Sequence, residues 1–280
     1  MLGEGSGSKR VAAAVAGLAA SVLTAALALT LLSAAHAARA NGIWRLLDGA
    51  QAHHPNALWH IVHDLCVTDM KASGSPAPCA AVSHKGGYAV LKDPQGKTQY
   101  LLVPTARVTG IESPELMARG SPNYWQAAWS SRRLIEGRVG QAIPRQDLGL
   151  AVNSIPGRTQ NQLHIHIDCV RRDVRDTLAA HAPEIGLRWA PLPFTLLGDH
   201  YQARWVKGAE LGANDPFKLL ASADLAARRD MGQETLVVLG AVGRNGVPGF
   251  VVLGGRADDG VASGEELLDH GCEVLGAPLS

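Results

Sequence analysis

Two histidines and an aspartate alternate with isoleucines in the segment His164-Ile-His166-Ile-Asp168. In a β-strand every second side chain shares a face, so the three polar groups would point to one side and the isoleucines to the other. Polar strand faces more often carry Thr, Lys or Ser, which favours a chemical site over a solvated face. A neutral imidazole attacks phosphorus and a protonated one binds phosphate oxygens, so the pattern predicts phosphate or metal chemistry.

A polar loop that contains a glycine precedes this strand. Successive backbone N–H groups of such a loop can cradle a phosphate, and Arg158 would add a positive charge beside it. Asn153, just before the loop, is positioned to hold one imidazole tautomer by a hydrogen bond. The candidate catalytic residues are therefore His166, His164 and Asp168, and the candidate phosphate-binding residues are Asn153, Gly157, Arg158, Thr159 and Gln160.

The elements that must position these residues follow from local patterns. Two β-rich runs flank the turn signal Asp93-Pro94-Gln95-Gly96 and predict a hairpin. Serine-proline starts and apolar stripes predict helices on either side of it. This order favours an α+β fold with a mostly antiparallel sheet. The predicted elements are helices at 55–66, 122–139 and 173–181, and strands at 87–91, 99–103, 148–153 and 163–168.

The last third of the chain predicts a second, similar group of elements. Pro191 and Pro193 indicate a connection, and a helix is expected near 216–230. Runs at 235–239 and 249–253 predict a hairpin around Asn245-Gly246, and Ser263 begins a capping box that predicts a last helix. Hairpin followed by helix thus occurs twice, which suggests a duplicated, non-catalytic second half at about 191–280.

An apolar run from Val11 to Leu32 follows Lys9 and Arg10 near the N-terminus. As a helix it would span about 33 Å, close to the thickness of a bilayer core. The two basic residues predict a cytoplasmic N-terminus. We expect residues 1–40 to anchor the chain, with a cleaved signal peptide as the alternative. Either way, the catalytic domain at 41–280 is expected on the periplasmic side of the inner membrane.

Composition restricts the partners further. The 280 residues are 46% hydrophobic and carry a net charge of +1, so the chain is globular and nothing marks it as a nucleic-acid binder.

Four cysteines in an exported chain suggest two disulfides, with three pairings possible. Cys66–Cys79 would close a short loop, and Cys169–Cys272 would then tie the histidine strand to the C-terminal part. The absence of a C-x-x-C pair disfavours structural zinc.

The histidine segment resembles the signature of the histidine-triad (HIT) superfamily of nucleotide hydrolases and transferases. In that pattern an Asn, a glycine-rich loop and a Gln precede His-φ-His-φ-His; here Asn153, Gln160, His164 and His166 fall at the same spacing. The resemblance implies that His166 is the nucleophile, that no cofactor or metal is needed, and that a homodimer is a candidate assembly. The chain departs from the pattern at Asp168, which replaces the third histidine, and at Arg158-Thr159.

A more extensive resemblance covers most of the exported part. Segments around Leu58-Trp59, Pro76-x-Pro78-Cys79, Gly157–Asn161 and Asp269-His270-x-Cys272 resemble the bacterial CDP-diacylglycerol pyrophosphatases, membrane-anchored relatives of the HIT proteins. This resemblance implies a HIT-like antiparallel sheet with flanking helices and a preceding transmembrane helix. It also implies a role in phospholipid metabolism, with CDP-diacylglycerol hydrolysed to CMP and phosphatidate through a covalent nucleotidyl-histidine.

Two other classes of function fit parts of the pattern. His164, His166 and Asp168 are also metal-ligand types in metallo-β-lactamase-like hydrolases, although Cys169 stands where those motifs continue with histidine. A metal-dependent enzyme would lose activity in EDTA. The third class is a non-catalytic, membrane-tethered nucleotide- or lipid-binding protein, which a covalent nucleotide trapped on His166 would exclude.

Overall fold

The computed structural model describes residues 54–243, 246–258 and 260–276. The predicted anchor at 1–40 lies outside the described residues. Within the described ranges, no helix combines the length and the apolar character needed to cross a membrane.

One antiparallel sheet of ten strands runs through the described residues. Numbered in chain order, the strands are β1 (Ala81–Ser83), β2 (Tyr88–Lys92), β3 (Tyr100–Pro104), β4 (Leu148–Val152), β5 (Ile165–Val170), β6 (Ala190–Leu196), β7 (Asp199–Lys207), β8 (Glu234–Val242), β9 (Pro248–Arg256) and β10 (Leu268–Asp269). In the sheet the strands lie in the order β1-β2-β3-β5-β4-β8-β9-β7-β6, and β10 pairs with the end of β5. Together with the few helices this confirms the α+β prediction.

The strand order repeats across the middle of the sheet. Strands β2, β3, β5 and β4 lie side by side, and β6, β7, β9 and β8 follow the same relative order, with β4 paired to β8 at the centre. Each set is a hairpin, a helical stretch and a second strand pair. An internal duplication would produce this repeat. The duplication itself stays a prediction.

Helices precede the first strand and occupy several of the connections between strands. The first, α1, has a π-helical middle: Ala57–His60, Ile61–Cys66 and Val67–Ser73 follow one another without a break in helical backbone angles. Asn123 caps the next helix, α2 (Tyr124–Ser131), by accepting from Gln126 N. The remaining helices are α3 (Arg133–Val139), α4 (Arg172–His181), α5 (Pro216–Ala223) and α6 (Leu225–Arg229).

Hydrophobic side chains cover both faces of the sheet. Ile165 and Ile167 belong to the larger core, where they join the buried Trp125 and Trp129 of α2. A smaller core on the other face contains Val174 and Leu178 of α4 together with strand residues. Burying both faces removes the apolar side chains of the sheet from water.

Two sequence predictions differ from the structure. Pro191 and Pro193 lie in β6, the last strand of the path, because an edge strand tolerates residues that cannot donate to the ladder. The last helix expected from Ser263 is absent from the described residues. Short 3₁₀ turns, Gly264–Leu267 and Glu273–Leu275, stand there instead, separated by β10. Pairing of β10 with β5 overrides the local capping signal.

Candidate active site

Strand β5 carries His166 and Asp168 in the middle of the sheet, and His164 immediately precedes this strand. His166 lies between Leu101 of β3 and Ala151 of β4, its partners in the two flanking ladders. The exposed fractions of His164, His166 and Asp168 are 9%, 4% and 0%. The polar face is therefore buried, and the solvated-face interpretation is wrong.

The His166 ring combines an acidic neighbour with an unpartnered nitrogen. Its Nδ1 lies 3.2 Å from Oε1 of Glu265, at ion-pair distance but outside hydrogen-bond geometry. Its Nε2 has no hydrogen-bond partner among the described residues. Burial lowers the pKa of His166 to about 4, so the ring is neutral at pH 7. The carboxylate favours the proton on Nδ1, which leaves the Nε2 lone pair for attack.

His164 stands beside His166 with its own tautomer determined. Its Nδ1 lies 2.8 Å from the backbone oxygen of Gln162, which can only accept, so Nδ1 carries the proton. Burial lowers the pKa of His164 as well. The ring centroids of His164 and His166 lie 4.9 Å apart, so both rings can contact one phosphate group.

Asp168 is an acceptor with three donors. Its Oδ1 accepts from Thr98 Oγ1 at 2.6 Å and from Cys169 N at 2.9 Å, and its Oδ2 lies 3.2 Å from Nδ1 of His270. Burial raises the pKa of Asp168, and the donors oppose that rise. The donors compensate a charge that burial alone would make costly.

Glu265 joins the site from the segment after β9, and Asn153 orients it. Asn153 Nδ2 donates to Oε2 of Glu265 at 3.1 Å, and Glu265 N donates to Oδ1 of Asn153 at 3.2 Å. Gln99 Nε2 donates to Oε1 at 3.1 Å. Burial would raise the pKa of Glu265, but the neighbouring His166 and these donors lower it overall. Asn153 thus acts on the carboxylate that faces His166; the expected hydrogen bond from Asn153 to an imidazole is replaced by this arrangement.

The loop residues have partners within the protein. Arg158 forms a bidentate ion pair with Glu112, at 2.5 and 2.7 Å. Gln160 accepts from Leu58 N at 2.9 Å and so ties the loop to α1. Phosphate binding by Arg158 or Gln160 stays a prediction. It requires that each side chain break its present contacts or bind the phosphate in addition to them.

Gly157 and Thr159 of the same loop differ in how closely other residues pack against them. A Cβ on Gly157 would lie 2.6 Å from the Ala262 backbone oxygen, and this close approach explains the glycine. Gly157 N donates to the Ser154 backbone oxygen at 3.1 Å. Thr159 is exposed. Its phosphate-binding role is untested by these contacts.

Comparison with known proteins identifies the family. A model of the CDP-diacylglycerol pyrophosphatase family matches residues 53–276. A Yersinia pestis protein with the name CDP-diacylglycerol pyrophosphatase is 42% identical over 223 residues, which cover 79% of this chain and 85% of that protein. The chain belongs to the CDP-diacylglycerol pyrophosphatase family. Membership confirms that it is a hydrolase.

Two disulfides connect parts of this CDP-diacylglycerol pyrophosphatase family member. Cys66 bonds to Cys79, 13 positions later, and Cys169 bonds to Cys272, 103 positions later. These are the pairs considered from the sequence. The second bond joins the residue after Asp168 to the segment that contains His270.

The geometry disfavours a metal centre built from the histidine strand. Among the described residues, the one group of three potential ligand residues with ligand atoms within 4.8 Å of one another is Asp168, Cys169 and Cys272. Both sulfur atoms of that group are in the disulfide and do not offer thiolates. His164 and His166 are not part of it.

Glu265 and His270 were missed as site residues by the sequence analysis. Both lie in a segment interpreted as a helix start and a C-terminal tail, and neither belongs to a local motif with His166. Two signals were available for His270: Asp269-His270-x-Cys272 is one of the segments that carry the family resemblance, and a Cys169–Cys272 bond places residue 270 near Asp168. No comparable signal pointed to Glu265.

Proposed function

We propose that this chain hydrolyses the diphosphate bond of CDP-diacylglycerol to CMP and phosphatidate, with His166 as the nucleophile. The observation that carries the proposal is the buried, neutral His166 ring, with Nδ1 against Glu265 and Nε2 unpartnered among the described residues. Family membership and the name of the Yersinia pestis relative support the substrate.

In the first step, Nε2 of His166 attacks the phosphorus that carries the cytidine. An N–P bond forms while the bond from that phosphorus to the bridging oxygen breaks. The electron pair leaves with the oxygen, so phosphatidate departs as a phosphate monoester that needs little protonation. Because Nδ1 keeps its proton, the ring becomes cationic, and the Glu265 carboxylate stabilises that charge.

In the second step, water attacks the same phosphorus. The N–P bond breaks, its electron pair returns to Nε2, and the ring becomes neutral again. The proton that water loses passes to solvent or to a phosphate oxygen, and CMP leaves. His164, 4.9 Å from His166 between ring centroids, is placed to contact the phosphate in both steps.

The HIT-like assignment belongs to the same proposal. The support is the antiparallel pair β4–β5, whose connecting loop contains Asn153 and Gln160 and ends at His164. The superfamily pattern has the same strand–loop–strand order with its nucleophile on the second strand. A homodimer is part of this proposal, and light scattering of the purified protein tests it.

We also propose that residues 1–40 anchor the chain in the inner membrane, with the catalytic domain in the periplasm. The two disulfides support an oxidising compartment. Membrane fractionation, followed by protease treatment of spheroplasts, tests this location. Recovery of the intact chain in the soluble cytoplasmic fraction would contradict it.

The mechanism is tested by trapping the intermediate. CDP-diacylglycerol labelled at the cytidine phosphorus is mixed with excess enzyme in EDTA, and the reaction is stopped with denaturant. We expect label on the wild-type protein at His166 and neither label nor turnover for His166→Ala. His84→Ala, which changes an exposed histidine, is the matched control and should label normally. Turnover at the wild-type rate by His166→Ala would refute the assignment, and loss of activity in EDTA would support the metal-dependent alternative.

A further inference from the structure

An imidazole reaches the position of the missing third histidine from elsewhere in the chain. Asp168 stands where the HIT pattern has that histidine, and its Oδ2 lies 3.2 Å from Nδ1 of His270, 102 positions later. Asp168 is fully buried, whereas the His270 side chain is 36% exposed. The pair places a ring at the rim of the site, supported by a carboxylate beneath it.

His270 also faces the carboxylate that contacts the nucleophile. Its Nε2 lies 3.7 Å from Oε1 of Glu265, the same oxygen that lies 3.2 Å from Nδ1 of His166. Asp168, His270, Glu265 and His166 therefore form one continuous series of contacts. Without a cation between them, the carboxylates of Asp168 and Glu265 would repel each other.

Several independent restraints hold His270 in this place. Its backbone oxygen accepts from Lys97 N at 2.7 Å and from Thr98 N at 3.3 Å. Asp269 pairs with Cys169 between β10 and β5, and the Cys169–Cys272 disulfide closes the segment. Gly96, with φ of 68°, lets the chain approach: a Cβ there would lie 2.4 Å from Cβ of His270. These contacts fix the backbone at residue 270, as expected for a residue whose side chain must hold one position in the site.

We propose that His270 is a positioning residue for the nucleophile. As an imidazolium bound to Asp168, it neutralises the space between two carboxylates and holds Glu265 against Nδ1 of His166. The nucleophile then keeps its proton on Nδ1 and presents Nε2 to the phosphorus. This inference rests on the proposed role of His166. It adds the residue that keeps Glu265 in contact with Nδ1 of His166.

The charged and titratable groups around His270 agree with this role. The hydrogen bond to Asp168 is the main cause that raises the pKa of His270, burial opposes it, and Glu265 and Asp93 raise it further. The neutral His166 ring lies on the other side of Glu265. Activity should therefore fall as pH rises through the pKa of His270, because loss of that proton releases Glu265.

The test compares His270→Asn with His270→Ala across pH. Asn can still donate to Asp168 but carries no charge. We expect kcat to fall roughly 10- to 100-fold in both variants, with KM little changed, as when a group that orients a reactive side chain is lost. The basic limb of the wild-type profile should disappear, and added imidazole should partly restore His270→Ala.

The outcomes separate this inference from the proposed function. Wild-type kcat and an unchanged basic limb in His270→Asn would overturn the role of His270, even if His166→Ala stays inactive and unlabelled. Loss of rate with the basic limb retained would also overturn it, because only packing would then be involved. Thermal unfolding of each variant identifies misfolded protein, and the less disruptive Asn variant keeps the comparison interpretable if the Ala variant fails to fold.

Discussion

Oε1 of Glu265 lies 3.2 Å from Nδ1 of His166, although 99 positions of the sequence separate the two residues. The contact pairs a permanent negative charge with a ring that becomes cationic only when a covalent bond forms at Nε2. The carboxylate thus favours the intermediate more than the resting enzyme, which is the requirement for catalysis rather than mere binding.

Replacing Glu265 by Gln should lower kcat by roughly 10²- to 10⁴-fold, because an amide can present either its oxygen or its NH₂ group to Nδ1 and no longer selects the tautomer. Steady-state and single-turnover assays measure the loss. Glu266→Gln changes the exposed neighbour and should keep the wild-type rate. Equal rates for both variants would remove Glu265 from the mechanism.

The acid limb in the pH profile of kcat/KM should lie at an unusually low pH. Protonation of His166 removes the Nε2 lone pair, and burial lowers its pKa to about 4. We expect kcat/KM to stay level as pH falls from 7 to 5 and to decline only near pH 4. A decline centred at pH 6.5 would show that the ring titrates as in water.

The same shift predicts a pH dependence of stability. Between pH 6.5 and 4 the unfolded chain binds a proton at His166 that the folded chain does not, so the free energy of unfolding should fall as pH falls through this range. The loss is about 3 kcal/mol if His166 acts alone. Urea unfolding at pH 7 and pH 5 covers only part of this range and should show a loss of about 2 kcal/mol, which His166→Gln should reduce.

Removing the Cys169–Cys272 bond should impair catalysis more than removing Cys66–Cys79. The Cys169–Cys272 bond holds the His270 segment beside Asp168, whereas the Cys66–Cys79 bond joins the middle of α1 to a nearby loop. By loop-entropy arguments the respective losses of stability are about 4.7 and about 3 kcal/mol. Double alanine variants, assayed well below their unfolding temperatures, separate activity from stability. Equal residual kcat in both would contradict the assigned role of the first bond.

The Arg158–Glu112 pair can be tested for structure and for phosphate binding at once. Removal of either partner leaves a partly buried charge, so Arg158→Ala and Glu112→Gln should each destabilise the fold, by up to about 3–5 kcal/mol for a well-buried pair. If Arg158 also binds phosphate, only Arg158→Ala should raise KM. The same KM for both variants would limit Arg158 to the ion pair.

The local order around the site follows from the sequence. Alternation along 164–168 predicts one face for His164, His166 and Asp168, because side-chain direction in a strand has a period of two. Turn residues predict the two hairpins. Each end of their four strands lies within one to three residues of its predicted position. These features depend on neighbours in the chain, which a sequence displays directly.

Only the tertiary structure determines which residues contact the polar face formed by His164, His166 and Asp168. Strand β10 replaces an expected helix because pairing with β5 outweighs a local cap, and the same pairing brings His270 to Asp168. Glu265 reaches His166 because the segment after β9 folds back over the loop after β4. Which distant groups meet at one nitrogen depends on chain topology and on the burial of charge, and no local spacing encodes either.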